Sequence, residues 1–396
     1  MIPVEIKKDI HWVGAVDWNI RDFHGYSTPK GTTYNSYLVL DDKVALFDTV
    51  KKPFKNALMH NIRSLIEPRK VDYLIVNHVE MDHSGCVPEI IEELQPEKVI
   101  CSAMGRKVLL EHYHREDWPY EVVASGQTIS LGKKNVQFLE TRMIHWPDSM
   151  MSYLPEDRLL ISSDGFGQHW ATSQRFDDEV DSHELLKHAA KYYANILLLY
   201  SPLIQKLLAS VQQLGLEIDM IAPDHGLIWR AEPTRIVEAY DLWSRQQSKE
   251  KALIIYDTMW NSTEKMAYAI GDGLSGQGVN FQIFNLKYTH RSDVMTEVLD
   301  AKALIFGSST LNNGMMPTMA DMLTYMKGLK PADKIGAAFG SYGWSGEAVK
   351  LISGVMEEMK IELVDPGLRL KFAPSHDDLK KCVELGRKIG LAVKAT

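Results

Sequence analysis

The sequence contains few cysteines and no pairing motif among them. Three occur in 396 residues, Cys86, Cys101 and Cys382, and no two of them form a CxxC motif. Disulfide frameworks, thiolate zinc sites and cysteine-ligated iron–sulfur clusters are therefore disfavoured. Any metal that the protein binds is expected to have nitrogen and oxygen ligands.

Long apolar runs and long basic clusters are also missing. No apolar run approaches the roughly 20 residues that a membrane span needs, and the N-terminus lacks the pattern of a secretory signal. The formal charge is −8, from 44 basic and 52 acidic residues, and no basic patch suggests nucleic acid. We expect a cytoplasmic protein that binds neither a membrane nor a nucleic acid.

The length and the order of the predicted elements indicate two domains. A chain of 396 residues is too long for one ordinary core. The polar run at residues 246–251 is the best boundary, so we predict domains at 1–248 and 249–396. In the first domain, runs of strands are followed by helices, and this pattern suggests a sheet sandwich flanked by helices. The second alternates strictly between strands and helices, which is typical of a flavodoxin-like, doubly wound parallel sheet in an α/β protein.

A cluster of imidazoles and carboxylates follows one buried strand. In LIVNHVEMDHSG, residues 74–85, two histidines and two carboxylates lie within six positions. Three further candidates, His145, Asp164 and His225, also follow predicted strands. Seven side chains are too many for one tetrahedral metal and suit two, with Asp164 able to bridge through its two oxygens. Taken alone, His225 or Asp164 would be read as a structural residue, whereas the HxExDH cluster indicates metal.

A second set of polar loops suggests a mononucleotide. The loop after the first strand of the second domain, YDTMWNSTEKMA, places hydroxyls, an amide and backbone donors where a helix begins, as in an anion site. It lacks both the GxGxxG and the Walker patterns, so NAD and ATP fit poorly. The loops at residues 307–317 and 339–347 add glycines, small polar residues and aromatics. Together these three loops predict FMN.

The combined motifs resemble those of the flavodiiron proteins, the A-type flavoproteins that include rubredoxin:oxygen oxidoreductases. HxHxDH followed by His, Asp and His is the metallo-β-lactamase-fold signature of dinuclear zinc hydrolases, and Glu80 replaces its second histidine here. A carboxylate shifts the preference from zinc towards iron. The resemblance covers essentially the whole chain. It implies an N-terminal metallo-β-lactamase-like αβ/βα sandwich and a C-terminal flavodoxin-like sheet.

The resemblance also implies a specific set of site residues. In parts of the family the histidine that matches His83 turns away and water replaces it. Two iron atoms per chain, bridged by Asp164 and by an oxo or hydroxo group, would be held by His78, Glu80, Asp82, His83, His145, Asp164 and His225. The matching second-shell positions, which assist catalysis, are His24 and Tyr193. The FMN loops match at Thr258, Met259, Trp260, Asn261, Ser262, Thr263, Ser309, Thr310, Leu311, Asn312, Asn313, Gly314, Ser341, Tyr342, Gly343, Trp344, Ser345 and Gly346.

These cofactors predict an oxidoreductase that reduces oxygen to water, nitric oxide to nitrous oxide, or both. A flavin and two irons together deliver up to about four electrons. Electrons would come from an external donor: a rubredoxin, which we favour, or reduced coenzyme F420. A domain of about 250 residues has a radius of gyration of about 18 Å, so two cofactors at domain centres of one chain would be far apart. A head-to-tail homodimer, or a dimer of such dimers, would bring them together, as the family does.

Two other interpretations remain open at the level of sequence. One is a dinuclear metallo-hydrolase, of thioesterase or lactamase type, with an accessory flavodoxin domain. The other is an electron carrier whose metal site is structural. The sequence does not rank oxygen against nitric oxide, because both substrates need the same ligands.

Overall fold

The computed structural model describes residues 2–395, and its contacts divide the chain into two compact units. The first unit contains the chain up to His24 together with Thr28–Tyr192 and Pro202–Asp241. The second unit contains Gly25–Ser27, Tyr193–Ser201 and the chain from Leu242 onward.

The N-terminal part of the chain contains sixteen short strands, many of them entirely buried. Their bounds are β1 Val4–Lys7, β2 Ile10–Trp12, β3 Ala15–Asp17, β4 Asp22–Phe23, β5 Tyr26–Ser27, β6 Thr32–Tyr34, β7 Tyr37–Val39, β8 Ala45–Phe47, β9 Tyr73–Val76, β10 Lys98–Ser102, β11 Tyr120–Val123, β12 Thr128–Ser130, β13 Asn135–Glu140, β14 Met150–Leu154, β15 Leu159–Ile161 and β16 Met220–Ala222. One sheet has seven strands in the order β1-β2-β7-β8-β9-β10-β11, and another has five in the order β12-β13-β14-β15-β16.

These two sheets share one apolar core. Trp12, Phe47 and Ile75 of the seven-stranded sheet belong to the same buried cluster as Phe138 and Ile161 of the five-stranded sheet. The helices of this part are α1 Lys55–Leu65, α2 Met81–Ser84, α3 Val87–Leu94, α4 Ala103–Tyr113, α5 Ser182–Tyr192, α6 Ser201–Gln213 and α7 Pro233–Ser244. The sandwich predicted for the first domain is confirmed.

One helical segment is an exception to the expectation that no apolar run is long enough to span a membrane. The stretch Ser182–Gln213 is long and apolar enough, by length and composition, to cross a membrane, with a mean hydropathy of 1.3 in its most apolar window. The sequence analysis overlooked it. In the structure α5 and α6 are separated there by a π-helical turn at Tyr193–Leu197 and a 3₁₀ turn at Leu198–Tyr200.

The second unit carries the predicted parallel sheet. Its elements are β17 Lys249–Asp257, α8 Ser262–Ser275, β18 Asn280–Asn285, α9 Arg291–Val298, β19 Ala301–Ser308, α10 Pro317–Leu329, β20 Ile335–Tyr342, α11 Ala348–Glu358, β21 Glu362–Leu363, β22 Leu368–Lys371 and α12 His376–Ala395. The strand order is β18-β17-β19-β20-β21, β22 also pairs with β20, and every pairing is parallel. The doubly wound prediction is confirmed, and the sequence analysis missed β21 and β22, which are short and partly exposed.

Candidate metal centre and flavin site

The first metal-ligand loop, which follows β9, is fixed by a buried carboxylate at the end of β8. Asp48 Oδ1 accepts hydrogen bonds from the backbone nitrogens of Asn77, at 2.7 Å, and His78, at 3.3 Å. Its Oδ2 accepts a third from the Asn77 side chain at 2.7 Å. These bonds hold the chain as it leaves the sheet, and the short helix α2 then carries Asp82 and His83. Polar groups can emerge here because the carboxyl end of a strand faces the rim of the sheet.

The predicted ligands converge into two adjoining groups. One consists of His78, Glu80, His145 and Asp164, and the other of Asp82, His83 and His225. Within each group the potential ligand atoms lie within 4.8 Å of one another. The structure therefore brings together all seven side chains that the sequence singled out.

Asp164 presents one oxygen to each group. Its Oδ2 lies 3.0 Å from Nε2 of His145 and 3.3 Å from Nε2 of His78. Its Oδ1 lies 3.4 Å from Nε2 of His83 and 3.5 Å from Nε2 of His225. This is the placement that a carboxylate bridging two metals requires.

The electrostatics of the cluster favour bound cations. Burial lowers the pKa of His83, but the charges of Asp82 and Asp164 outweigh it and raise that pKa to about 10. Burial raises the pKa of Glu80, but hydrogen bonds from His145, His24 and His78 lower it well below the usual range. Carboxylates that stabilise protonated histidines this strongly would equally stabilise a metal ion that replaces the protons.

Several buried ligand atoms lack any hydrogen bond. Both carboxylate oxygens of Asp82, both ring nitrogens of His83 and Oδ1 of Asp164 are in this state. Buried polar atoms without partners are costly, and metal ions bound at the two groups would satisfy those that face the cluster, such as Nε2 of His83 and Oδ1 of Asp164. The donor set is imidazole nitrogen and carboxylate oxygen without thiolate, which suits non-haem iron. The residues therefore fit a dinuclear iron centre.

The two predicted second-shell residues occupy different environments. Nε2 of His24 lies 3.1 Å from Oε1 of Glu80, as a residue beside the first group should. Tyr193 instead places its hydroxyl 2.9 Å from Ser201 Oγ and its ring against Trp243.

The neighbouring Tyr192 is the tyrosine that lies beside the cluster. Burial raises its pKa well above the usual value, helped by the charge of Asp164 and a hydrogen bond to that carboxylate. Its ring also packs 5.1 Å from the ring of His169. The geometry thus favours Tyr192 over Tyr193 for the second-shell position, a choice that the adjacent tyrosines of KYYANI did not reveal.

Sequence reasoning also missed two residues around the cluster. His169 is buried, with Nδ1 2.7 Å from Thr32 Oγ1 and its ring 4.8 Å from that of His225. Its position soon after Asp164 in SDGFGQHW was an available signal. Asp148 is buried as well, and its Oδ2 lies 3.0 Å from Nδ1 of His78. Its partner is 70 residues away in sequence, and no spacing pattern pointed to it.

In the second unit, the predicted FMN loops surround a cavity of about 710 Å³. Twelve of the eighteen predicted residues line it, together with Phe372 and Ala373, which the sequence analysis missed. These twelve are Met259, Trp260, Ser262, Ser309, Thr310, Asn312, Asn313, Ser341, Tyr342, Gly343, Trp344 and Ser345. Phe372 reaches the cavity because it directly follows β22, and its backbone nitrogen donates to the Tyr342 carbonyl at 2.7 Å.

The other six predicted residues support the loops rather than line the cavity. A Cβ at Gly346, whose φ is +89°, would lie 3.1 Å from the Tyr342 ring. Leu311 and Gly314 pair with each other across a tight turn. Thr258 and Thr263 are buried, and Asn261 precedes α8 with φ of +61°.

Three buried hydroxyls join the three loops beneath the cavity. Thr263 Oγ1 lies 3.0 Å from Ser309 Oγ and 2.9 Å from Ser341 Oγ, and the two serine oxygens are 3.3 Å apart. We call these residues the hydroxyl triangle. It fixes the loops of β17, β19 and β20 relative to one another.

The start of α8 fits a phosphate group. Asn261 precedes this 14-residue helix without a side-chain cap, so its first backbone N–H groups are available to an anion. Thr258 Oγ1 is buried and has no hydrogen-bond partner. Trp260 and Trp344, each 88% exposed, stand at the cavity and can cover a flat ring. The cavity therefore fits FMN.

Comparisons with known proteins agree with both sites. The model of the ODP family beta lactamases matches residues 32–226, and the flavodoxin model matches residues 254–386. A nitric oxide reductase of Moorella thermoacetica is 49% identical over 394 residues, which are 99% of each chain.

Solved structures give the same result. The rubredoxin oxygen:oxidoreductase of Desulfovibrio gigas superposes with a TM-score of 0.98 at 44% identity, covering 99% of each chain. The flavodiiron protein of Giardia intestinalis gives 0.96 at 33% identity, covering 100% of this chain and 97% of the other. These relatives are oxidoreductases, and they favour that interpretation over the hydrolase. The chain belongs to the flavodiiron family, whose members combine a β-lactamase-like diiron domain with an FMN-binding flavodoxin domain.

Proposed function

We propose that this flavodiiron oxidoreductase reduces oxygen to water, nitric oxide to nitrous oxide, or both, with electrons relayed through FMN from an external donor. The observation that carries the proposal is the double metal group whose two halves share Asp164, in a chain that also has an FMN-sized cavity. Bound iron supplies redox chemistry and open coordination positions, and FMN supplies electron storage.

The ligand roles follow the two groups. His78, Glu80 and His145 would hold one iron, Asp82, His83 and His225 the other, and Asp164 both. A centre of this kind needs no thiolate, and neither ligand group includes a cysteine. The three carboxylates, Glu80, Asp82 and Asp164, would offset three of the four positive charges of two ferrous ions.

Two side chains are placed to handle protons. The hydrogen bond to Glu80 raises the pKa of His24, partly opposed by burial, so the protonated form of His24 is favoured more than that of a free histidine. Its side chain is 72% exposed and can be recharged from water. Tyr192, buried beside Asp164, keeps its phenolic proton and acts as a hydrogen-bond donor inside the cluster.

In the second unit, the FMN phosphate would bind the first turn of α8 and the hydroxyl of Thr258. The loops at residues 309–314 and 341–346 would hold the isoalloxazine ring, which Trp260 and Trp344 would cover. The hydroxyl triangle keeps these loops in register. We place the boundary between the domains at 248/249, where β17 begins.

A rubredoxin is the donor that we favour, because the solved relative from Desulfovibrio gigas is named as a rubredoxin oxygen:oxidoreductase. Reduced coenzyme F420 is the second donor to test. We further propose a cytoplasmic head-to-tail homodimer, possibly paired into a dimer of dimers. Its support is the exposure of both cavity tryptophans, which a partner subunit would cover.

The test is an anaerobic reduction of the purified protein followed by parallel oxygen and nitric oxide consumption assays. We expect uptake of at least one gas, faster with reduced rubredoxin than with reduced F420. Dilution to the monomer should abolish turnover while both cofactors stay bound. A protein that contains two zinc ions and no flavin, or that consumes neither gas when reduced, would contradict the proposal.

A further inference from the structure

We propose that Asp148 is a positioning residue that makes the two iron positions unequal, because it gives the imidazole of His78 a negatively charged hydrogen-bond partner. An iron bound beside His78 would then be held more tightly than the other and would be the easier of the two to oxidise. This inference rests on the proposed function, since it takes His78 as an iron ligand.

The contact is direct and fully buried. Oδ2 of Asp148 lies 3.0 Å from Nδ1 of His78, and both side chains are 0% exposed. The same oxygen accepts a hydrogen bond from the Val79 backbone nitrogen at 2.7 Å. An ionised carboxylate only accepts, so Nδ1 of His78 must donate, and the lone pair is left on Nε2. That atom faces the first ligand group, 3.3 Å from Glu80 Oε2 and 3.3 Å from Asp164 Oδ2.

Asp148 is itself held in place by the surrounding chain. Ser102 Oγ donates to the Asp148 carbonyl oxygen at 2.8 Å. The loop that carries Asp148, between β13 and β14, is closed by a 2.9 Å hydrogen bond from the Thr141 nitrogen to the Ser149 carbonyl. The same loop carries His145. One short segment therefore supplies a ligand of the first group and also orients a second one.

The histidines of the second group have no such partner among the described residues. Nδ1 of His225 lies 2.6 Å from the carbonyl oxygen of Thr33, a neutral acceptor. Nδ1 of His83 is 3.8 Å from Asp224 Oδ2, beyond hydrogen-bond distance. A carboxylate partner raises the basicity of a ligating imidazole and fixes its orientation more than a carbonyl does. Electron donation is therefore greater on the His78 side, and that side stabilises the higher iron charge.

The principal test is the variant Asp148→Asn in the full-length holoprotein. The amide oxygen can still accept from His78 and Val79, so the change removes mainly the charge. We expect a 10- to 100-fold loss of iron affinity in competition with a chelator, about the effect of other outer-shell partners. We also expect an upward shift of the potential at which the first iron is oxidised, followed by electron paramagnetic resonance of the mixed-valence state. FMN content and circular dichroism report whether the variant is folded.

The matched control is Asp224→Asn. Asp224 is an equally buried carboxylate near a ligand histidine, but its oxygens make no hydrogen bond. We expect its effect on the first oxidation potential to be smaller than that of Asp148→Asn. Equal shifts in the two variants would mean that the hydrogen bond to His78 does not set the potential, and would overturn the inference.

A second measurement needs no variant. In the reduced wild-type protein, the Nδ1–H of His78 should give a paramagnetically shifted proton resonance that persists in D₂O. The ring of His145, with a side chain 16% exposed, should exchange faster. A rapidly exchanging His78 proton would overturn the inference.

The outcomes separate the inference from the function on which it rests. A wild-type protein that holds no iron would contradict the proposed function and the inference together. A wild-type protein with two irons, compared with an Asp148→Asn variant of equal iron affinity and unchanged potential, would contradict the inference alone.

Discussion

The first unit buries most of its candidate ligands, whereas the second unit leaves two large aromatic side chains at its cofactor cavity almost fully exposed. Five of the seven metal-site side chains are 5% exposed or less, namely His78, Asp82, His83, Asp164 and His225. At the flavin cavity, Trp260 and Trp344 are each 88% exposed. The difference in exposure follows from what each site would bind. A small cation must replace the whole hydration of its donors, while a large flat ring needs a cradle with an open side through which electrons can enter.

The largest effect is expected from removal of the shared carboxylate. Asp164→Asn should lose both irons and slow gas consumption more than about 100-fold, beyond the upper range for outer-shell partners. FMN should be retained, because its cavity lies in the second unit. Metal analysis and flavin absorbance measure both quantities. The control is Asp219→Asn, which replaces an exposed carboxylate paired with Arg158. Full iron content in Asp164→Asn would contradict the bridging role of Asp164.

The pair of tyrosines gives the next largest effect. Tyr192→Phe removes a hydroxyl beside Asp164 and should lower the turnover number at least about 10-fold with both cofactors bound, because a positioned proton donor is lost. Tyr193→Phe removes the hydroxyl that contacts Ser201 Oγ and should stay within about 2-fold of the wild type. Steady-state kinetics compare the two variants. If the larger loss falls on Tyr193→Phe, the assignment made from the geometry is wrong.

A smaller effect, confined to the second unit, is expected at the hydroxyl triangle. Thr263→Val removes hydrogen bonds to Ser309 and Ser341 and should weaken FMN binding about 10-fold, since the two bonds together contribute about 1.4 kcal/mol, at the lower end of the usual range. Fluorescence titration of the flavin-free protein measures the Kd, and iron content should not change. Thr296→Val, on helix α9 away from the cavity lining, is the matched control. Unchanged FMN affinity in Thr263→Val would contradict the role of the triangle.

The last prediction concerns stability rather than activity, and it involves a buried lysine in the second unit. Burial lowers the pKa of Lys334 to about 8 from the usual 10.5. Between pH 8 and pH 10.5, the side chain of Lys334 is mostly protonated in the unfolded chain and mostly neutral in the folded one. The free energy of unfolding should therefore rise, by up to about 3 kcal/mol, over this pH range. Denaturant titrations of the wild type and Lys334→Met measure this rise, which the variant should lack. If the free energy of unfolding rises equally in both proteins, Lys334 is not the source of the rise. The wild type and the variant should contain the same amount of FMN.

The residues predicted as metal ligands lie together in the structure because they obey one geometric rule. His78, His145, Asp164 and His225 each follow a strand or a strand-end turn, and such positions gather at a sheet edge. The flavin loops obey the same rule in the second unit. Residues that were grouped because they follow the ends of strands therefore also lie close together in the structure.

The remaining residues depend on contacts that leave no local pattern. Tyr192 and Tyr193 are adjacent, and the π-helical turn that begins at Tyr193 sends their side chains to different neighbours. Phe372 follows a four-residue strand too short and polar to be recognised. Asp148 acts on a histidine that lies 70 residues earlier. The positions of these side chains depend on contacts with residues that are distant in sequence. The periodicity of the sequence does not reveal such contacts.

The central claim is that one chain stores electrons in both units, and an anaerobic reductive titration tests it most directly. Dithionite is added stepwise to the oxidised protein while the flavin absorbance and the iron paramagnetic signals are recorded. We predict uptake of about four electrons per chain, two by FMN and one by each iron. Uptake of only two electrons, with the metal signals silent throughout, would contradict it and would assign the buried cluster a redox-inert metal.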